Sequence, residues 1–211
     1  MKNDIKAFSP ENLGWLEYKL NDQERDYVWR CIKNKKIDYR SKLAGHISSS
    51  YTLLDTGDWF FHNTIKPLLE SYTVKFVNIA KEFPTRKAHP LWMSEWWVNY
   101  QKQGEFNPIH NHAGVYSFVI WMKIPFEWKD QNNNTSLSGN SNGQLVSSFQ
   151  ISYTDIIGGP RAHNYELSKK DEGRMLLFPS KLRHQVYPFY DCDEDRISVS
   201  GNITLDTAKS V

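Results

Sequence analysis

The stretch NPIHNHAGVYSFVIW, residues 107–121, places two histidines one residue apart, just after a proline and just before a strongly apolar run. Successive side chains of a β-strand point to opposite faces of the sheet. His110 and His112 would therefore project from one face, while Asn111 points away. The apolar run that follows is typical of a buried strand. The stretch predicts a β-protein that presents a pair of imidazoles on one face, as a pair of metal ligands would be presented.

Strand-like segments fill the chain from residue 91 onward. Short alternating or apolar runs are separated there by Gly, Pro, Asn and Asp, which is typical of a sandwich or barrel of antiparallel strands. The predicted strands lie in residues 91–100, 115–124, 143–152, 173–180, 184–190 and 196–205. Between two of them lies a polar stretch, residues 130–143, which we expect to be a mobile loop.

Helical patterns occupy the first 90 residues. Asn21 is a candidate N-cap with Glu24 three residues later, and apolar residues follow at helical spacing. A second stripe of apolar residues runs through residues 58–83, with Pro67 near a helix start or at a kink. No repeat and no linker marks a second domain. We therefore predict one domain over residues 1–211, with a mostly helical support layer (1–90) and a β core (91–211).

The composition restricts the class of protein. Eight Trp, eleven Tyr and eleven Phe suit sheet faces and a lined cavity, and a net charge of +2 gives no reason to expect a nucleic-acid partner. No apolar run is long enough to cross a membrane, and the first residues lack the apolar core of a signal peptide. The two cysteines, Cys31 and Cys192, form no Cys-x-x-Cys motif. We expect a cytoplasmic protein without a disulfide framework.

Two further groups of residues extend the candidate site. His184 follows a turn that contains proline and opens an alternating run, as a third metal ligand on a facing strand would. Alternation along the last strand places Arg196, Ser198, Ser200 and Asn202 on one face. A guanidinium is costly to bury alone and matches a carboxylate in geometry. The pattern predicts three histidines for a divalent metal and a cationic, hydroxyl-bearing strand for an acid.

These motifs together resemble those of the 2-oxoglutarate and iron(II)-dependent oxygenases, and within them a bacterial and phage group. W-x-N followed by G-x-x-N-P-x-H-x-H occupies residues 97–112, F-P-S-x-x-x-H-x-V occupies 178–186, and R-I-S-x-S-x-N occupies 196–202. The resemblance covers about the C-terminal half, with fainter similarity around residues 43–47. It implies a mainly β fold with N-terminal helices (α+β), a double-stranded β-helix, that is, a jelly-roll or cupin-like barrel.

The same resemblance implies the chemistry. Such enzymes use Fe(II), 2-oxoglutarate as cosubstrate and O2, and couple oxidative decarboxylation of 2-oxoglutarate to oxidation of a substrate C–H bond, usually hydroxylation. It implies that the iron-binding and catalytic residues are His110 and His184, with His112 at the third position. It further assigns the cosubstrate to four residues: Arg196 and Ser198 at its distal carboxylate, and Asn99 or Asn202 at its near end.

One position departs from the family pattern. Most of these oxygenases use two histidines and one carboxylate, whereas His112 stands at the carboxylate position. An all-imidazole iron site, a carboxylate donated by Glu95 or Asp155, or an inactive descendant would each explain this. Alternation favours the first explanation. Halogenases of the superfamily have a small residue there and leave room for halide, so an imidazole argues against halogenation.

Two other classes of function stay open. A cupin-like dioxygenase could use three histidines without a keto acid and would not need Arg196. A non-catalytic barrel could bind a ligand or a partner protein. For an oxygenase, the prime substrate could be a peptide side chain, a metabolite or a lipid. We interpret the other histidines (His46, His62, His89 and His163) as ordinary hydrogen-bonded or surface residues, and Trp92, Trp96 and Trp97 as core packing.

Overall fold

The computed structural model describes residues 6–8, 12–35, 37–133 and 143–210. The strands are β1 (Leu16–Lys19), β2 (Ser49–Thr52), β3 (Leu91–Gln101), β4 (Asn107–His110), β5 (Tyr116–Lys123), β6 (Phe149–Thr154), β7 (Pro160–Tyr165), β8 (Arg174–Pro179), β9 (Arg183–Val186) and β10 (Arg196–Leu205). The α-helices are α1 (Asp22–Lys33), α2 (Lys66–Lys75) and α3 (Trp128–Asn133).

The strands form two antiparallel sheets. The larger has the order β1-β8-β5-β10-β3-β2, and the smaller has the order β4-β9-β6-β7. Alternation along β5 divides the core between two layers. Phe118 and Ile120 pack with the helices on one side of the large sheet, whereas Val119 and Trp121 pack with residues of the small sheet on the other side. The predicted antiparallel sandwich is confirmed, and its inter-sheet layer is where a cavity can form.

The first predicted helix is confirmed. Asn21 caps α1: its side-chain oxygen accepts from Glu24 N at 2.9 Å, and the Glu24 carboxylate accepts from Asn21 N at 2.9 Å. This reciprocal capping satisfies two backbone N–H groups that have no partner within the helix. The second helical region is also present, with Pro67 in the first turn of α2 after a π-helical turn, Phe61–Ile65. Proline is tolerated near the start of a helix, and here the preceding π-helical turn is closed by Lys66, whose N–H donates to the Phe61 carbonyl.

One expectation is extended and one needs correction. The N-terminal 90 residues, predicted as mostly helical, also contribute two strands to the large sheet, because β1 pairs with β8 and β2 pairs with β3. The predicted mobile loop is wrong for its first residues, because Asp130–Asn133 lie within α3. Gln131 is buried there, and its side chain makes two hydrogen bonds to the backbone of Tyr190. It accepts from the Tyr190 N–H at 2.8 Å and donates to the Tyr190 carbonyl at 2.7 Å. Residues 134–142 lie outside the described residues.

None of the helices in the described ranges combines the length and the apolar character that a bilayer span requires.

Candidate metal centre

The three predicted histidines come together between the sheets. His110 ends β4 and lies directly opposite His184 on β9. His112 follows two residues later, outside the strand, where its backbone N–H donates to the Ser180 carbonyl at 2.9 Å. Strand alternation at His112 is therefore wrong in detail, but its ring still reaches the group. One ring nitrogen from each histidine lies within 4.8 Å of those of the other two.

Backbone carbonyls fix the orientation of two of these rings. His110 Nδ1 lies 2.7 Å from the Pro108 carbonyl, and His184 Nδ1 lies 2.9 Å from the Leu182 carbonyl. A carbonyl only accepts, so each Nδ1 carries the proton and each Nε2 presents a lone pair. The Nε2 atoms of His112 and His184 are 3.1 Å apart. Carbonyl bonds of this kind orient imidazoles that bind metals.

The electrostatics keep the imidazoles neutral. Burial, together with the neighbouring imidazoles, lowers the pKa of His184 to about 3 and that of His112 to about 4, and burial also lowers the pKa of His110. All three are then uncharged near pH 7, which is the form that binds a metal. Imidazole suits iron, zinc, copper and nickel, and three protein ligands leave positions open for other molecules. The group thus fits a catalytic iron site.

Neither alternative carboxylate joins the histidines. Asp155 is engaged in the turn between β6 and β7, where it accepts from Gly159 N at 2.8 Å and from Arg161 Nε at 2.8 Å. Glu95 lines the same cavity, but its Oε1 accepts from Asn202 Nδ2 at 3.0 Å. Within the described residues, the sole group of three or more potential metal-binding side chains consists of the histidines.

A cavity of about 310 Å³ lies beside the histidines and is floored by β3 and β10 of the large sheet. The floor residues alternate along both strands and form cross-strand pairs. These pairs are Gln101–Arg196, Asn99–Ser198, Trp97–Ser200 and Glu95–Asn202. All four residues that alternation assigns to one face of β10 therefore line this cavity. Apolar walls come from both sheets, among them Val119, Trp121, Phe149 and Phe178.

Arg196 is buried at the closed end of the cavity, with 1% of its surface exposed. Its guanidinium donates to Gln101 Oε1 from Nη2 at 2.7 Å, to the Ser147 carbonyl at 2.7 Å and to the Tyr187 carbonyl at 3.0 Å. All three acceptors are neutral. Glu194, the nearby acid in the sequence, instead accepts from Lys123 Nζ at 2.6 Å.

The Arg196 charge therefore lacks a protein counter-ion among the described residues. Burial lowers its pKa to about 9, so the guanidinium stays protonated at pH 7. A buried, unpaired charge is costly, and a carboxylate entering the cavity would compensate it. This end of the cavity has the chemistry of an acid-binding site.

The other predicted cosubstrate residues differ from one another. Ser198 lines the cavity floor, and Asn99 does so while its Oδ1 accepts from Ser50 Oγ at 2.8 Å. Asn202 has both side-chain polar atoms engaged, because Oδ1 accepts from Ser117 Oγ at 2.8 Å and Nδ2 donates to Glu95. In this structure Asn202 positions Glu95.

Several residues of the site were not expected. Extending the alternation of Asn99 along β3 would have found Gln101 and Trp97, and Trp97 lines the cavity rather than only packing in the core. Its buried Nε1 has no hydrogen-bond partner. Tyr39 and Lys42 also line the cavity, but they come from the N-terminal region and no local pattern marks them.

The fold and site together define a class: a two-sheet β-protein with an inter-sheet histidine group suited to a metal and a buried arginine suited to an acid. Residues 95–202 match the family model described as "Putative 2OG-Fe(II) oxygenase", which covers more than half of the chain. The chain belongs to this family of 2-oxoglutarate and Fe(II)-dependent oxygenases. It is therefore a non-heme iron dioxygenase, and the predicted Fe(II), 2-oxoglutarate and O2 are confirmed.

The chain is similar to proteins of known structure. The chain is similar to a Pseudomonas putida prolyl-4-hydroxylase, with a TM-score of 0.53, 13% identity, and coverage of 91% of this chain and 92% of that one. It also resembles a viral collagen prolyl hydroxylase from Paramecium Bursaria Chlorella virus-1 in complex with 2OG, with a TM-score of 0.49, 11% identity and coverage of 90% and 94%. The first likeness confirms the double-stranded β-helix. No curated protein matches the chain in sequence.

Proposed function

We propose that the chain is an Fe(II)- and 2-oxoglutarate-dependent hydroxylase of a substrate C–H bond. In this proposal His110, His112 and His184 hold the iron, and Arg196 binds the distal carboxylate of 2-oxoglutarate. One observation carries the proposal: three neutral imidazoles converge on a cavity whose closed end holds a buried guanidinium without a counter-ion.

The three neutral ligands have a consequence for cosubstrate binding. A site with one carboxylate ligand lowers the charge of Fe(II), whereas three imidazoles leave the full charge of the ion at the site. A dianionic cosubstrate is then attracted at both ends, by the ion and by Arg196. Bound iron, 2-oxoglutarate and O2 would supply the oxidising chemistry. The chain supplies the ligands, the orientation of the acid and apolar walls that exclude water.

Arg196 is built to orient an acid rather than only to attract it. The rings of Phe126 and Phe189 lie 5.7 and 5.5 Å from the guanidinium carbon, and the Gln101 oxygen accepts from two of its nitrogens. These contacts and those to the Ser147 and Tyr187 carbonyls fix the guanidinium and engage four of its five N–H groups, so one N–H on Nη1 is left to donate to an entering carboxylate. Ser198 on the same floor offers a hydroxyl to the same carboxylate.

The competing functions make different use of this site. A three-histidine dioxygenase without a keto acid would give no role to the unpaired Arg196 charge, and a non-catalytic binding protein would give no role to three converging neutral imidazoles. The hydroxylase uses both features. Peptide side chains, metabolites and lipids are all candidate prime substrates, because the prolyl hydroxylase resembles this chain only in fold.

A single assay separates the three functions. Purified protein is incubated with Fe(II), O2 and 2-oxoglutarate, and succinate is quantified, including succinate formed without a prime substrate. We expect succinate from the wild type and none from His184→Ala, because two remaining ligands hold a weakly binding divalent ion poorly. Metal-dependent O2 uptake that does not require 2-oxoglutarate would favour the three-histidine dioxygenase that uses no keto acid. Unchanged succinate from His184→Ala would contradict the proposed iron site.

A further inference from the structure

We propose that the open end of the cavity is a binding site for an ammonium group of the prime substrate, formed by the Glu95 carboxylate and the Tyr39 ring. In the structure, Lys42 of the same chain occupies this site. The inference rests on the proposed function, since it names the substrate as a primary amine that is oxidised at a C–H bond. It concerns residues other than the proposed ligands of iron and 2-oxoglutarate.

Glu95 is the acidic side chain of the cavity lining as far as the structure describes it. Its position is fixed before any ligand arrives, because Asn202 lies opposite it across the β3–β10 ladder and donates to Oε1 at 3.0 Å. Asn202 is in turn held by Ser117 Oγ at 2.8 Å, and Ser117 Oγ lies 2.9 Å from Ser180 Oγ. A carboxylate supported by such a chain of side chains is preorganised for a ligand.

An aromatic wall completes the site. The Tyr39 ring stacks on Trp97 with 4.6 Å between ring centroids and 15° between planes, and the Trp97 ring lies 5.9 Å from that of His112. All three rings line the cavity. A carboxylate next to an aromatic face binds ammonium ions by charge and by cation–π attraction. The wall also links this site directly to the proposed iron site.

Lys42 shows how an ammonium would lie here. Its Nζ is 3.6 Å from Glu95 Oε2 and 5.2 Å from the centroid of the Tyr39 ring. The distance to Glu95 exceeds that of a normal hydrogen bond, and 65% of the Lys42 side chain is exposed. Exposed ion pairs of this kind stabilise little, so an incoming ammonium displaces Lys42 at small cost.

The two ends of the cavity carry opposite charges. Arg196 and Asn202 are six residues apart on β10, which corresponds to roughly 20 Å along an extended strand. The acidic cosubstrate is directed to the cationic closed end, and an ammonium is directed to Glu95 at the open end. Each end disfavours the other ligand by like-charge repulsion, so the cavity separates an acid from an amine.

The test is a calorimetric titration of the full chain, loaded anaerobically with Fe(II) and 2-oxoglutarate. The probe is Nα-acetyl-lysine amide, and its Nε-acetylated form is the neutral counterpart. We expect the ammonium form to bind at least about tenfold more tightly, since loss of a charge-assisted bond has effects of this size. Glu95→Gln keeps the acceptor for Asn202 but loses the charge. It should therefore lower the affinity for the ammonium probe about tenfold. Circular dichroism checks its folding.

Lys42→Gln gives an independent test with the opposite sign. Removing the tethered competitor should tighten binding of the ammonium probe by about two- to fivefold. Lys35→Gln is the matched control: it removes the same charge from the same region, but Lys35 Nζ contacts Tyr51 and Tyr100, which are not among the residues lining the cavity. The affinity of Lys35→Gln for the ammonium probe should equal that of the wild type.

Three results would overturn the inference: equal affinity for both probes, no binding to either wild type or Lys42→Gln, or no tightening in Lys42→Gln. Because the titration involves no turnover, it is separate from the succinate assay. A protein that makes succinate but ignores the ammonium probe would refute the amine site alone. A protein that makes no succinate would refute the proposed function.

Discussion

At the scale of single residues, the role of His112 determines the donor set of the proposed iron site. If it replaces the usual carboxylate, His112→Asp should still bind Fe(II), because an anionic donor is restored, whereas His112→Ala should bind far more weakly. The shorter aspartate reaches less far than imidazole, so metal affinity and activity need not change together. Anaerobic Fe(II) titration of both variants measures the effect.

Circular dichroism controls for folding in the same two variants. If His112→Ala and the wild type bind Fe(II) equally tightly, the three-histidine site is refuted. A change confined to roughly 10- to 100-fold in both variants would instead indicate a residue that only supports the ligands. Glu95 would then become the donor to examine, since it lines the same cavity.

Arg196 is the second residue with a decisive substitution. We expect Arg196→Ala to weaken the binding of 2-oxoglutarate by about 10- to 100-fold. A charge-assisted hydrogen bond contributes about 1.5–3 kcal/mol, and each 1.4 kcal/mol corresponds to a tenfold change in affinity. Arg196→Lys should recover only part of the loss, since an ammonium lacks the planar fork. Titration with 2-oxoglutarate reports this, and Fe(II) affinity should stay near that of the wild type. Identical 2-oxoglutarate affinity in Arg196→Ala would contradict the assignment.

At the scale of elements, the close contact of β10 with its neighbours depends on Gly201. A Cβ built there would lie 2.5 Å from ring atoms of Phe118 and 2.9 Å from Trp96 Cβ, in the buried layer between the large sheet and the helices. Gly201→Ala should therefore lower the free energy of unfolding by about 1–3 kcal/mol. Ser200→Ala, one residue earlier and on the cavity face, is the control with little expected effect. Urea denaturation compares the two, and equal stability would show that β10 can shift.

The sequence predicts those elements whose signals are local. The capping residues of α1 and the alternation of β10 lie within one segment, and both predictions hold. The four-residue strands β1 and β2 escaped prediction, because their strand character comes from pairing with distant partners in the sheet. β7 escaped as well, since most of its residues are exposed and it carries little apolar alternation.

The site follows the same division. Alternation and spacing predicted that His110, His184 and Arg196 face one cavity, which they line, because each lies within a strand. His112 lies in the loop between β4 and β5, after β4 has ended, so strand alternation does not position it. In this loop Gly114 adopts a φ of +101° before the chain enters β5. Tyr39 and Lys42 were not predicted, since only packing of an irregular N-terminal segment brings them to the cavity.

At the scale of the whole molecule, the buried neutral histidines couple stability to pH. Their folded pKa values, about 3 for His184 and about 4 for His112, lie below the ordinary 6.5. As pH falls below 6.5, the histidines of the unfolded chain bind protons, whereas those of the folded chain do not. The free energy of unfolding is therefore highest above pH 6.5 and falls progressively as the pH approaches the folded-state pKa values. For one such histidine the loss between pH 7 and pH 5 is about 2 kcal/mol.

Urea denaturation of the metal-free protein at pH 7 and pH 5 measures this loss. His184→Gln should show a smaller difference between the two pH values than the wild type, because one buried titrating group is removed. Stability that is equal at both pH values in the wild type would show that these histidines are accessible to protons in the folded state.

The contrast in depth between the two ends of the cavity sets an order of arrival. Arg196 has 1% of its surface exposed, whereas 34% of the Glu95 side chain is accessible. We expect a ligand held at Glu95 to lie between solvent and the guanidinium, so that the acid enters first and leaves last. The bound amine would block the exit of the acid and slow its dissociation. Stopped-flow measurement of 2-oxoglutarate release should accordingly show slower release when Nα-acetyl-lysine amide is present, and an unchanged release rate would indicate a second exit from the closed end.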